Sequence, residues 1–133
     1  MGQRPNAMIF SICIPNYNYD RYVGATIASA LAQKVDCEVL VCDNASTDDS
    51  VEVIEAIADP RVHLRRNVWN VGFAGNLDRA CAGASGDWQL LLSSDDLIEP
   101  GALGFYQALI DALGDDAPGS VICSGQYVID GAG

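Results

Sequence analysis

The sequence Leu90-Leu91-Leu92-Ser93-Ser94-Asp95-Asp96 is the most informative part of this chain, because an apolar run stops abruptly on two adjacent carboxylates. A short apolar run of this kind is typical of a strand buried in a sheet. Ligands of open α/β sheets bind beyond the carboxyl ends of the strands, where paired carboxylates offer hard oxygen ligands to a divalent cation. The stretch therefore predicts a strand that delivers Asp95 and Asp96 to a binding site at the rim of a sheet.

The rest of the chain alternates short apolar runs with amphipathic stretches. Helix boundaries are suggested by Asp20, by a capping box from Ser46 to Asp49, and by Pro60 and Pro100. The resulting β-α-β-α-β-α-β-α-β order predicts a Rossmann-like α/β fold, a mainly parallel sheet with helices on both faces. The 133 residues are expected to form a single domain. The predicted strands are 9–14, 37–42, 61–66, 88–92 and 120–129, and the predicted helices are 22–32, a segment ending at Pro60, 72–84 and 100–113.

The composition narrows the class of protein. The net charge is −11 and the chain has seven Lys and Arg residues, which argues against a nucleic-acid partner because binding to phosphate backbones needs clustered cations. The five cysteines show no metal or redox spacing and are expected to be core thiols in a reducing compartment. Neither a signal peptide nor an apolar run of about 20 residues is present, so we expect a cytoplasmic protein.

Polar residues follow three of the predicted strands, at 15–19, 43–48 and 93–96. The ring of Tyr17 is suited to stacking on a nucleobase. The carboxylate of Asp43, at the end of an apolar strand, can accept a hydrogen bond from a ring N–H such as N3 of uracil. The same residue types are also ordinary turn formers and helix caps, so each one alone is compatible with a purely structural role.

Together, four blocks of sequence resemble the nucleotide-sugar-binding half of family 2 glycosyltransferases, which have the GT-A fold. The blocks are Ser11–Asn18, Val39–Asp48, Asn70–Asn76 and Ser93–Asp96, in that order. The resemblance covers about residues 9–113.

This resemblance implies transfer of a sugar from a nucleoside diphosphate donor, most often UDP-linked, to a hydroxyl of a glycan or lipid-linked acceptor, with inversion and with Mg²⁺ or Mn²⁺ on the diphosphate. It further implies a role in polysaccharide biosynthesis and metal binding by Asp95 and Asp96. The residues it assigns to nucleotide binding are Pro15, Tyr17, Asn18, Asp43, Asn44, Gly72, Asn76, Ser94 and Asp95.

Two features depart from the family pattern. The acidic motif often begins with a further Asp, where this chain has Ser93. The family also takes its general base from an acceptor-binding half that follows the nucleotide half, so we expect that base beyond Gly133 and assign no catalytic residue here. The chain is then expected to bind donor without turnover, and a longer parent protein to act at the inner face of the membrane.

Other classes of protein fit less well. A sugar-nucleotide pyrophosphorylase needs a glycine-rich loop with basic residues after the first strand, and residues 15–19 contain neither. A receiver domain needs a lysine near its acids, whereas the sole lysine, Lys34, precedes the second strand. The alternatives to a transferase are a non-catalytic nucleotide-binding fragment and a sugar-nucleotide pyrophosphorylase-like domain. An exposed sheet edge would permit dimerisation.

Overall fold

Strands and helices alternate along the computed structural model, which describes residues 9–130. The predicted alternation is confirmed from the first strand to the fourth helix. The strands are β1 (Phe10–Asn16), β2 (Cys37–Asp43), β3 (Val62–Arg66) and β4 (Trp88–Leu91). The helices are α1 (Asp20–Leu31), α2 (Ser50–Glu55), α3 (Gly72–Cys81) and α4 (Ala102–Leu113), and a 3₁₀ turn at Gly114–Asp116 follows α4.

The four strands form one parallel sheet in the order β3-β2-β1-β4. The two central strands are the most apolar, as expected for strands that are covered on both faces. Asn16 at the end of β1 is paired with Asp43 at the end of β2. On the other side of β1, the amide of Leu92 donates to the carbonyl of Cys13 at 3.0 Å. The carboxyl ends of the strands therefore lie at one edge of the sheet.

Helices cover both faces of the sheet, which confirms the Rossmann-like prediction. The larger core lies on the face where Ile12 and Val39 meet apolar residues of α1, α2 and α4, such as Ile27 and Leu103. The opposite face is narrower, and there Ala80 of α3 packs on small residues such as Cys13. Alternate residues of β1 point into different cores because successive side chains of a strand point to opposite faces.

Strand β1 includes Pro15 and ends at Asn16, two residues beyond the predicted end at position 14. The carbonyl of Cys13 faces β4, and a residue two positions later faces the same side of a strand. The amide that Pro15 lacks would therefore lie beyond the hydrogen bond between Leu92 and Cys13, where β4 has already ended. The strand can extend to Asn16 without losing a ladder hydrogen bond.

The predicted fifth strand at 120–129 is wrong. This segment has no strand in the described part of the chain, and several of its apolar side chains are almost fully exposed, including Val121 and Val128. A run rich in β-branched residues becomes a strand when another strand pairs with it, and β-propensity alone is weak. No described helix is long and apolar enough to cross a membrane.

Gly86 allows the close approach of the turn before β4 to β1. A Cβ atom at this position would lie 2.7 Å from the carbonyl oxygen of Ile9 and 2.9 Å from the amide nitrogen of Ser11. We expect Gly86→Ala to lower the free energy of unfolding by about 3 kcal/mol, because backbone atoms must move to relieve the clash. Urea unfolding would measure this loss.

Gly104→Ala in α4 is the matched control for this substitution. A Cβ there would meet its nearest neighbour, Val35 Cγ2, at 4.0 Å. Alanine favours the helix by up to about 1 kcal/mol over glycine, so stability should stay level or rise. Equal urea midpoints for the two variants would contradict the close approach at Gly86.

Candidate functional site

The loops that follow β1, β2 and β4 meet at the carboxyl edge of the sheet. The amide of Asn44 donates to the carbonyl of Asn16 at 2.9 Å, which continues the pairing of β1 and β2 beyond the strands. After β4, the carbonyl of Ser94 accepts the hydroxyl of Thr26 of α1 at 2.9 Å. Ser94 itself is buried. The chain thus brings the three loops predicted to carry the site to the same edge.

Asp43 is the buried centre of this edge, with 1% of its surface exposed. Its Oδ1 accepts hydrogen bonds from Asn16 Nδ2 at 2.9 Å and Ser46 Oγ at 2.6 Å. Its Oδ2 accepts one from the Ser46 amide at 3.0 Å. A carboxylate has about four acceptor positions, so these bonds fix its orientation and leave capacity on Oδ2 for a further donor.

Ser46 does not form the predicted capping box. Helix α2 begins at Ser50, and its first residue donates its amide to Asp48 Oδ1 at 3.0 Å. The side chain of Ser46 instead hydrogen-bonds Asp43 and accepts the amide of Asn18 at 3.0 Å. A serine near the start of a helix can satisfy a neighbouring carboxylate as readily as a helix amide. Ser46 therefore belongs to the site edge.

The loop after β1 is held in place while one of its rings stays exposed. Asn18 has a left-handed backbone with φ 55°, which asparagine tolerates better than most residues. Its Oδ1 accepts the amide of Thr47 at 2.8 Å. The ring of Tyr17 is 42% exposed, and Pro15 is half-buried at the end of β1. The flat surface of Tyr17 is thus presented from a backbone fixed on both sides.

A network of asparagine side chains fixes the loop between β3 and α3. Asn44 Nδ2 donates to Asn70 Oδ1 at 2.9 Å, and its Oδ1 accepts the Val71 amide at 2.9 Å. Asn67 Nδ2 donates to Asn44 Oδ1 at 3.0 Å and to Asn76 Oδ1 at 2.9 Å. These four asparagines (Asn44, Asn67, Asn70 and Asn76) are called the asparagine network below.

Asn76 ties this network to the sheet. Its Nδ2 donates to the carbonyls of Cys42 at 3.0 Å and Asn16 at 3.3 Å. Asn76 is buried, and these bonds hold the start of α3 against the ends of β1 and β2. Gly72 opens α3 with φ 81°, a conformation that favours glycine, and an added Cβ would have no atom within 4 Å.

Asp95 and Asp96 are both exposed beyond the end of β4. The hydroxyl of Ser93 donates to Asp95 Oδ1 at 2.6 Å, and the amide of Asp96 donates to the Ser93 carbonyl at 3.1 Å. Ser93 stands where the family often has a further acid, and here it orients the first of the two carboxylates. The tight turn leaves both acids facing outward at the edge that carries Asp43.

Comparison with known proteins identifies the family. Residues 11–132 match the family described as Glycosyl transferase family 2. The chain belongs to glycosyl transferase family 2.

Curated relatives include two named glycosyltransferases. The chain is 32% identical over 115 residues to the abequosyltransferase RfbV of Salmonella typhimurium, covering 81% of the chain and 34% of the relative. It is 37% identical over 89 residues to a UDP-Glc:alpha-D-GlcNAc-diphosphoundecaprenol beta-1,3-glucosyltransferase, WfaP of Escherichia coli, covering 66% of the chain and 36% of the relative. The chain thus spans about a third of the length of these two relatives.

A solved structure shares the architecture. The crystal structure of S. aureus TarS 1-349 in complex with UDP is 28% identical, with a TM-score of 0.74 over 79% of this chain and 32% of that one. TarS 1-349 has also been solved in complex with UDP-GlcNAc, again at 28% identity. The parallel sheet with helices on both faces is therefore the GT-A architecture of family 2 enzymes.

The donor set at Asp95 and Asp96 fits a metal that arrives with a diphosphate. Within residues 9–130, no group of three or more His, Cys, Asp or Glu side chains is arranged to hold a metal ion by itself. Mg²⁺ commonly binds through one or two carboxylates together with substrate phosphates and water. Two exposed carboxylates on one turn match that partial donor set.

Three residues of this edge did not emerge from the sequence as site residues: Asn16, Ser46 and Asn67. Asn16 and Asn67 are buried asparagines at the ends of parallel strands, the position that made Asp43 a candidate. This position at the end of a strand could have identified both asparagines as candidate site residues from the sequence. The buried Oδ1 of Asn16 has no hydrogen-bond partner among residues 9–130.

Proposed function

We propose that this chain is the donor-binding half of a glycosyltransferase that moves a sugar from a UDP-linked donor to a hydroxyl of a glycan or lipid-linked acceptor in polysaccharide biosynthesis. The observation that carries this proposal is the oriented carboxylate of Asp43, with acceptor capacity left on Oδ2 at the edge shared by the three loops. The UDP complexes of TarS, a 28% identical structure, support a uridine donor.

Recognition of the base falls to Asp43 and Tyr17. Uracil carries a donor at N3, and a buried carboxylate oxygen with spare acceptor capacity favours that N–H over an acceptor nitrogen. Tyr17 supplies the ring for stacking, while Pro15 and Asn18 fix the backbone on either side of it. The side of the base pocket opposite Tyr17 is assigned to Asn44, Gly72 and Asn76. The asparagine network holds the start of α3 beside the ends of the strands.

The diphosphate is assigned to the turn at Asp95 and Asp96, with the buried Ser94 anchoring that turn to α1. Asp95 and Asp96 would hold Mg²⁺ or Mn²⁺. When bound, such an ion stabilises the negative charge that builds on the leaving diphosphate. The two carboxylates position charge and do not attack the sugar. Inversion, by direct attack of the acceptor hydroxyl, is proposed from the family resemblance.

The general base for that attack is assigned to an acceptor-binding half outside this chain. The matched segments cover 34% of one relative and 36% of the other, which leaves room for such a half. The chain by itself is expected to bind donor and to release no sugar.

The proposed function is tested by isothermal titration of UDP with Mn²⁺, with Mg²⁺ and with EDTA. We expect either cation to raise the affinity for UDP by about 10-fold or more, and EDTA to remove the gain, since carboxylates and phosphates share the ion. The double variant Asp95→Asn with Asp96→Asn should bind UDP at the EDTA level under all conditions.

The control for this double variant is Asp115→Asn with Asp116→Asn, in the exposed 3₁₀ turn after α4. It removes the same charge from another adjacent acid pair and should keep the full response to the cations. Absence of UDP binding in every condition would overturn the proposed function. An equal cation response in both double variants would overturn the metal assignment.

A further inference from the structure

Asn16 is a buried polar residue at the end of an apolar row. Ile12 and Ile14 precede it at alternate positions of β1, and all three side chains are fully buried. Alternate residues of a strand share one face, so Asn16 lies on the face where Ile12 and Ile14 form part of the larger core. An apolar side chain would extend that core, so packing alone does not favour an asparagine at this position.

The side-chain amide of Asn16 is satisfied on one side only. Its Nδ2 donates to Asp43 Oδ1 at 2.9 Å and to Ser46 Oγ at 3.4 Å. A buried acceptor without a donor, such as its Oδ1, destabilises a folded protein by its desolvation penalty. Asn16 is thus unfavourable for the core, and its contribution lies in the donor that it supplies to Asp43.

The bond from Asn16 decides which oxygen of Asp43 remains available. Oδ1 of Asp43 receives two side-chain donors, Asn16 Nδ2 and the hydroxyl of Ser46, whereas Oδ2 receives only the amide of Ser46 among these contacts. The opposite orientation of the Asn16 amide would place its carbonyl oxygen against a carboxylate oxygen, and both are acceptors. Because residues 16 and 43 are paired in the parallel register of β1 and β2, the sheet itself holds the two side chains together.

We infer that Asn16 is a positioning residue for recognition of the base. It holds Oδ1 of Asp43, so that Oδ2 is the oxygen presented to N3–H of uracil. The inference rests on the proposed function, which assigns Asp43 to the base. Asn16 is itself fully buried, so it acts through Asp43 and does not touch the nucleotide. An oriented acceptor favours uracil, which has N–H at N3, over cytosine, which has an acceptor there.

The test exchanges the two side chains in the double variant Asn16→Asp with Asp43→Asn. The new amide at position 43 can donate to the new carboxylate at position 16, while its carbonyl oxygen takes the place of Oδ2 and accepts from the Ser46 amide and the base. The hydroxyl of Ser46 lies within 3.4 Å of the position 16 amide and can donate to a carboxylate there. The double variant therefore keeps the pair with donor and acceptor exchanged, and it keeps the net charge of the parent chain.

Isothermal titration of UDP and CDP into the parent chain, both single variants and the double variant measures the coupling of the pair. Each single variant should bind UDP weakly, because Asn16→Asp sets acceptors against each other and Asp43→Asn sets donors against each other. The double variant should bind UDP about 10-fold or more tighter than Asp43→Asn, a coupling within the range for residues in contact. It should also regain preference for UDP over CDP, whereas a pair that served only the fold would change both affinities equally.

The control is the double variant Asp43→Asn with Asn70→Asp. Asn70 is exposed and is bonded to Asn44 and Gly72, so this variant restores the net charge away from the pair. It should bind UDP as weakly as Asp43→Asn does. Urea unfolding checks that each variant is folded. Asn16→Ala adds no charge and should lower the ratio of UDP to CDP affinity by about 3-fold or more, even if Asn16→Asp does not fold.

The inference would be overturned by a double variant that binds UDP no tighter than Asp43→Asn or than the control. An unchanged ratio of UDP to CDP affinity in Asn16→Ala would also overturn it. If the parent chain binds UDP in the same experiment, either result leaves the proposed function in place. Absence of UDP binding to the parent chain would overturn the proposed function and the positioning role with it.

Discussion

Replacing Asp43 with asparagine is expected to lower the affinity for UDP by about 30-fold or more, because a charge-assisted hydrogen bond of about 2 kcal/mol or more is lost. If the NH2 group of the variant takes the Oδ2 position, it faces the Ser46 amide and the base, and both of these are donors. If it takes the Oδ1 position, it faces Asn16 Nδ2, which is also a donor. Cytosine has an acceptor at N3 where uracil has N–H. A loss of folded protein would lower both affinities equally and leave their ratio unchanged. The ratio of UDP to CDP affinity should therefore fall in the variant only if Asp43 recognises the base.

Titration of both nucleotides into the parent chain and the variant measures this ratio. Asp111→Asn, on an exposed position of α4, is the control for the change in net charge and should leave both affinities unaltered. We also expect the free energy of unfolding of Asp43→Asn to fall by about 2 kcal/mol, since Asn16 and Ser46 donate to this buried carboxylate. A parallel loss of UDP and CDP binding would show that Asp43 supports the loop and does not recognise the base.

The fold could be predicted where a local sequence pattern is compatible with only one tertiary arrangement. The apolar runs of β1 and β2 are typical of strands covered on both faces, and an alternating β-α order leaves few topologies besides a parallel sheet. The position of Asp43 and the Asp95-Asp96 pair at one edge follows from that topology, because parallel strands end on the same side. The four sequence blocks predicted family 2, and the family match over residues 11–132 confirms this prediction.

The prediction failed where a residue's partner is distant in sequence. The segment 120–129 has the composition of a strand, but strand formation depends on a pairing partner that composition does not reveal. Ser46 fits a capping box locally, yet its hydroxyl bonds Asp43 and Asn18 across the loops. Asn67 lies in no recognised motif, and its role depends on contacts with residues 23 positions before it and 9 and 12 after it.

Asn67→Ala is expected to have the largest effect on stability among the loop residues, a loss of about 3 kcal/mol. The substitution removes the donor to the buried Asn76 Oδ1 and the acceptor for Arg79, while Asn44 Oδ1 keeps the Val71 amide. A buried acceptor that is left without a donor destabilises the folded protein by its full desolvation penalty. The start of α3 should then loosen, and UDP affinity should fall although Asn67 is not expected to touch the nucleotide.

Urea unfolding measures the stability, and amide exchange at Val71 and Gly72 measures the loosening. Asn70→Ala is the matched control: Asn70 is exposed, and its Oδ1 accepts only one side-chain and one backbone donor, so its loss should cost about 1 kcal/mol or less. If Asn67→Ala were as stable as Asn70→Ala, the asparagine network would not be a cooperative unit. If it were unstable but bound UDP normally once folded, the network would hold the fold without shaping the nucleotide edge.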